Sequence, residues 1–228
     1  MSILSGRGDR RQRRAQKETS EPLTEAGEGT AIPDPEPDGL EGYGPKEAPA
    51  DRAENGPFDI SEQVGTQPYV DLGALKIPPR QDLVLKVQVQ EEAQRIMAVS
   101  LEFEGIELML QPYATPKSSG LWGEAREQLR ENLTEQGATI EEVEGSLGTE
   151  LKARAPHDGE VSQIRFLGAD GPRWFLRGVV TGIDFDDADR NALAEELFRQ
   201  VVVDRGREPM APRDLIPMHV PVAPEQDA

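Results

Sequence analysis

Between Leu83 and Leu110 apolar side chains return at every second position, and this period constrains the fold more than any other feature. Leu83, Leu85, Val87 and Val89 alternate with Val84, Lys86, Gln88 and Gln90. Met97, Val99, Leu101 and Phe103 repeat the pattern, and Ile106, Leu108 and Leu110 repeat it again after a turn at Glu104-Gly105. Successive side chains of a strand point to opposite faces, so a period of two marks half-buried strands. Three in a row, joined by short turns, make an antiparallel meander.

The period then changes. From Trp122 the apolar residues are Ala125, Leu129 and Leu133, spaced three and four apart, which predicts an amphipathic helix. Ser118 and Ser119 are its N-cap candidates, and Gly137 suits its C-terminal stop. Strand patterns resume over 138–143, 148–153, 161–168 and 173–181. The last two are joined by Ala169-Asp170-Gly171-Pro172, and Asp-Gly between strand patterns signals a hairpin. A second helix is expected from Asp186 or Asp187, with the stripe Leu193, Leu197 and Val201, ending at Gly206. The tail 209–221 holds four prolines and should be extended.

Meander, helix, meander, helix predicts an α+β fold. It would be a single antiparallel sheet of about seven or eight strands with two packed helices, since each helix has one apolar stripe to bury. This element order is similar to the PsbP-like α/β/α sandwich.

Residues 1–17 carry Arg7, Arg10, Arg11, Arg13, Arg14 and Lys17 against Asp9, whereas 18–63 carry thirteen acids against Lys46 and Arg52. That second stretch is rich in Pro, Gly and acids and poor in β-branched and aromatic residues. It buries too little apolar surface to offset chain entropy, so residues 1–56 are expected to be a disordered basic-then-acidic tail. The folded domain should cover 57–221, including its Pro-rich arm, with a disordered end at 222–228.

Several runs occur in a characteristic order: Gly56-Pro57-Phe58-Asp59, Tyr69-Val70-Asp71-Leu72-Gly73, Ser119-Gly120-Leu121-Trp122, Gly148-Thr149-Glu150-Leu151, the nine residues from Asp170 to Gly178, and the eight from Met210 to Pro217. Together they resemble domain-of-unknown-function family 3710, a bacterial family of high-GC Gram-positives. The resemblance spans about 56–221. It implies one domain with these boundaries and brings no reaction, cofactor or site residue.

The full chain has 228 residues, 43 acidic and 25 basic side chains, a net charge of −18, no cysteine and two histidines. Without cysteine there is no disulfide, thiol nucleophile or thiolate-bound metal. His157 and His219 lie far apart, and neither has a Gly-x-Ser-x-Gly partner. Asp184, Asp186, Asp187 and Asp189 fail the calcium-loop pattern, because Ala188 and Asp189 fall where an oxygen ligand and a glycine are needed. Acids in a first helical turn complement the helix dipole instead. No phosphate-binding glycine loop is present. The expectation is no cofactor, no bound metal and no catalysis. No apolar run approaches the roughly 20 residues of a membrane span, and the basic N-terminus lacks an apolar signal core, so no membrane association and a cytoplasmic location are expected.

The basic residues suggest a site. If Leu151, Ile164, Phe166, Trp174 and Leu176 face one way, then Lys152, Arg154, Arg165, Arg173 and Arg177 face the other, with Phe175 among them. Such a face suits an acidic protein partner, and a groove beside Trp122 and Trp174 is a second place to dock. Cross-strand pairing with Glu102, Glu104 and Glu107, or cover by the Pro-rich tail, would instead make those cations structural. The leading expectation is a non-catalytic interaction domain for an unknown protein partner. One alternative is nucleic-acid binding, with Arg10, Arg11, Arg13 and Arg14 contacting phosphates beside that face. Another is a small-ligand domain. The sequence leaves the oligomeric state open.

Overall fold

The computed structural model describes residues 44–62, 68–90, 93, 95–157 and 159–220. In chain order these form α1 (Arg52–Asn55), β1 (Phe58–Asp59), β2 (Val70–Asp71), β3 (Leu75–Ile77), β4 (Val84–Gln90), β5 (Arg95–Phe103), β6 (Ile106–Ala114), α2 (Trp122–Glu135), β7 (Thr139–Gly145), β8 (Gly148–His157), β9 (Glu160–Asp170), β10 (Trp174–Thr181), α3 (Ala188–Arg199) and β11 (Val202–Val203). Seven strands make one antiparallel sheet in the order β4-β5-β6-β10-β9-β8-β7. The α+β class holds, and every long strand predicted by alternation is present.

The expected single sheet has a companion. Four short strands form a second sheet, ordered β1-β11-β3-β2, in which β1 runs parallel to β11. The strand β11 occupies residues assigned above to the second helix. That helix stops at Arg199 because Val201-Val202-Val203 is a β-branched run that favours extended backbone.

Two glycines show how the layers stack. A Cβ on Gly168 would stand 2.2 Å from the Trp122 indole of α2, and one on Gly178 would stand 2.9 Å from the Phe198 ring of α3. Gly178 lies opposite Leu167, one residue from Gly168, so the two glycines point to opposite faces. The helices therefore cover opposite faces of the seven-stranded sheet, and each approaches at a position without a side chain. From Arg165 onward every residue of β9 is buried, as is all of β10 except Thr181.

The cap of α2 comes from elsewhere in the chain. Leu121 occupies the N-cap position and makes no side-chain cap bond. Asp170, at the end of β9, accepts hydrogen bonds from Leu121 N at 2.8 Å and Trp122 N at 3.3 Å. It also accepts one from Glu47 N at 3.0 Å. Burial pushes the Asp170 carboxyl upward in pKa, and these backbone donors only partly oppose the shift. Ser118 and Ser119 are thus not the cap. At the other helix, Asp187 caps α3 as expected, accepting from Arg190 N at 3.1 Å.

The folded part begins earlier than composition suggests. Residues 44–56 lie against the domain: Gly44 bridges Gly120, Asp170 N donates to the Glu47 carbonyl, Glu47 pairs with Arg126 at 2.6 Å and Asp51 with Arg199 at 3.0 Å. The expected tail boundary at 56 therefore moves toward the N-terminus, because specific polar contacts hold a segment that has little apolar surface. The rest of the proposed tail, with Arg10, Arg11, Arg13 and Arg14, lies outside the described residues, as does 221–228. The arm before it is not extended throughout: it turns at Pro212-Arg213, where Arg213 has a φ of 72°, and then Leu215 bridges Tyr113 while Met218 bridges Gly73.

Candidate functional site

The predicted arginine face is divided. Lys152 lies opposite Arg165, and Arg165 opposite Val180, so these share a face with Trp174 and Leu176. Arg177 lies opposite Gly168, on the side of Phe166 and Leu151, and Phe175 follows it. The sequence-based phasing of β9 against β10 was thus off by one residue. Both strands carry consecutive apolar residues (Phe166-Leu167, Trp174-Phe175-Leu176, Val179-Val180), so alternation gives no unique phase there. Only the hairpin register decides it.

On the α3 side, Arg165 is 2% exposed. Its guanidinium donates to Glu150 at 3.0 and 2.7 Å, to Glu195 at 2.7 Å and to the Asn191 side chain at 2.8 Å. The cluster clamps α3 onto the sheet. Burial pushes the Glu150 carboxyl up in pKa, against the pull of Arg165. Burial acts on Glu195 too, but hydrogen bonds from Ser146 and Arg165 outweigh it and hold that carboxyl below its ordinary value. A charge so enclosed cannot meet a partner.

Beside it, Lys152 and Arg154 lie 5.4 and 5.0 Å from the Phe185 ring, in cation–π range. Arg154 is exposed and Lys152 half-buried. These two are what remains of the basic face on this side. Arg173 is exposed near the hairpin and donates to the Gly206 carbonyl at 3.0 Å, a contact with the segment after α3.

On the α2 side, Phe175 is fully buried between Tyr113 and Trp122, with ring centroids 6.0 and 5.7 Å away. Arg177 is 2% exposed, donates from Nε to Gln111 Oε1 at 3.0 Å and lies over the Tyr113 ring. The two tryptophans do not share a groove. Both are buried, and they lie on opposite sides of the sheet. Trp122 Nε1 donates to the Thr149 carbonyl, and Trp174 Nε1 to Asp59 Oδ2, each at 2.8 Å. Of the glutamates weighed as partners for the arginines, Glu102 instead pairs with Lys86.

A shallow hollow of about 340 Å³ beside α3 is lined by Arg80, Glu104, Asp189, Arg190, Leu193 and Glu196, among others. Arg80 already pairs with Glu196 at 3.2 Å and stacks on Phe103, so the hollow is walled by its own charges. Among the described residues no group of three or more His, Asp or Glu side chains is placed to hold a metal ion.

What sequence reasoning missed is an edge. β4 and β7 are the outer strands of the large sheet. β7 reads Thr-Ile-Glu-Glu-Val-Glu-Gly, and three like charges guard its edge. β4 reads Val-Leu-Lys-Val-Gln-Val-Gln, with no proline and one charge, which Glu102 already holds. Val84 and Val89 are 49% and 48% exposed, and Leu85 and Val87 are half-buried. A bulge in the β4–β5 ladder, where Gln88 faces Ala98 and Val89 faces Ile96, leaves Met97 as the extra residue on β5. β4 itself stays regular, with a row of backbone groups unpaired among the described residues. The alternation was legible, but the place of β4 in the sheet order was not.

The layered sheet, the sealed ion cluster and the two contrasting sheet edges together describe an α+β domain. Residues 56–227 match the family model described as protein of unknown function (DUF3710). The chain belongs to that family. No curated protein and no solved structure gives a match. Among the described residues no helix is long and apolar enough to cross a membrane.

Proposed function

We propose that this is a non-catalytic protein-interaction domain that docks its partner by strand addition at β4. The carrying observation is the contrast between the sheet edges, one guarded by three glutamates and the other regular, with a single lysine that Glu102 already pairs. An edge strand offers a row of main-chain donors and acceptors, and alternate side chains give the selectivity. Natural sheets normally block such edges with charge, proline or a covering segment. A strand of this length, left open among the described residues and with its one lysine held by Glu102, is therefore better explained as an interface than as ordinary surface.

This reading replaces the Arg-rich face, whose cations are divided between two sides, with Arg165 and Arg177 buried. Lys152, Arg154 and Phe185 remain a secondary contact for an acidic group, since neither cation joins an ion pair among the described residues. In the test, a tagged chain and its Val84→Lys/Val89→Lys variant are expressed in the native cell. Both positions are exposed, so melting should be unchanged, while recovered proteins should be lost with the variant. Equal recovery by both proteins would show that the docking surface lies elsewhere.

A further inference from the structure

We infer that the occupant of the β4 edge is a second copy of this chain, paired antiparallel about a two-fold axis through Val87. The inference rests on the strand-docking reading and names its partner. Residues directly opposite in an antiparallel pair project to the same face. A two-fold axis perpendicular to the sheet preserves faces, so it must pass through a residue and not between residues. Three central registers are then available.

Centring on Lys86 puts Lys86 directly opposite its own symmetry mate, a like-charge pair that opposes association. Centring on Gln88 leaves Val84 and Leu85 outside the paired segment. Centring on Val87 pairs the whole strand, Val84 to Gln90, because Val87 is its midpoint. Leu85 then meets the partner's Val89, and Val87 meets its own mate. These apolar residues join into one stripe on the side occupied by α3. On the other side Lys86 meets the partner's Gln88, an amide able to accept its hydrogen bond. Each lysine remains paired with its own Glu102, so two charges that approach diagonally are already balanced.

Other occupants fit less well. Residues 1–43 of the chain contain no seven-residue alternating apolar run that could add as a strand here. An edge like β7 would repel its own copy, and the net charge of −18 disfavours self-association everywhere that it is not locally offset. On β4 the Lys86–Glu102 pair leaves the edge locally neutral.

The test is sedimentation equilibrium of the full chain and of two variants at the exposed Gln88. The native chain should form particles of twice its 25.1 kDa mass. Gln88→Lys sets two lysine pairs directly opposite each other and should weaken the dimer about tenfold. Gln88→Glu sets Lys86 against a carboxylate at both ends and should strengthen it by a similar factor. A native chain that stays monomeric up to its solubility limit overturns the inference. So does weakening by Gln88→Glu, the result that the Gln88-centred register gives. If the chain is monomeric yet Val84→Lys/Val89→Lys still loses recovered proteins, self-pairing falls while strand docking stands. A dimer indifferent to both Gln88 variants would place the self-contact on another surface and overturn the inference, while strand docking would still stand or fall by the Val84→Lys/Val89→Lys recovery.

Discussion

Arg165, Arg177 and Asp170 are each at most 3% exposed, and composition alone would place all three on the surface. What keeps them inside is that their hydrogen-bond partners were brought in with them, the condition for burying a charge. Asp59 shows the same logic with a measurable consequence. Burial raises its carboxyl, but hydrogen bonds from Ser61 and the Trp174 indole, with Arg52 nearby, outweigh this and leave its pKa below the ordinary value. A carboxyl lowered by folding stabilises above its unfolded pKa, and that stability is lost as pH falls through the folded pKa. Asp59→Asn should therefore cost about 1.5–3 kcal/mol at neutral pH, the range for hydrogen bonds to a charged group. The gap to the native protein should close as pH drops below the ordinary aspartate range. Denaturant midpoints across that range measure it, and a constant gap would show that the charge on Asp59 contributes nothing.

At the scale of elements, the sequence was most legible where one face of a strand or helix is wet. β4 to β6 alternate, α2 shows its stripe, and Asp187 announces the start of α3. Legibility failed where both faces are dry, since β9 and β10 are covered by α2 on one side and α3 on the other. It failed again where a cap is non-local, as Asp170 reaches α2 across 49 positions. Helix α3 ends earlier than its apolar spacing suggests because three consecutive valines prefer the extended state. The helix contacts at Gly168 and Gly178 allow a direct check. Gly168→Ala would push a methyl group into the Trp122 indole, and overpacking of this kind costs about 1–3 kcal/mol. The same substitution at Gly137, where a Cβ meets no atom within 4 Å, suffers only from its positive φ of 86°. Equal losses at the two sites in thermal melts would mean that α2 does not pack through Gly168.

For the whole molecule, neither the extent of the fold nor its surface was fully legible. Residues 44–56 look like tail by composition yet tie α2, α3 and the end of β9 together. A chain starting at residue 57 should therefore melt below one starting at residue 44. The shift should be about 2–4 °C per kcal/mol lost for a domain of this size. Identical midpoints would return that segment to the tail. Sheet order was illegible for a different reason: which strands become edges depends on long-range pairing, and local alternation is the same for an inner or an outer strand. That order is what makes β4 an outer strand of the sheet, and the hairpin register leaves Lys152 and Arg154 as a remnant of the basic face. Site-specific photocrosslinking in the native cell separates these two surfaces most directly. A photoreactive residue at position 84 should yield a discrete protein adduct, while the same residue at position 154 should yield none above background. An adduct at 154 with none at 84 would contradict strand docking at β4 and return the site to the cationic patch.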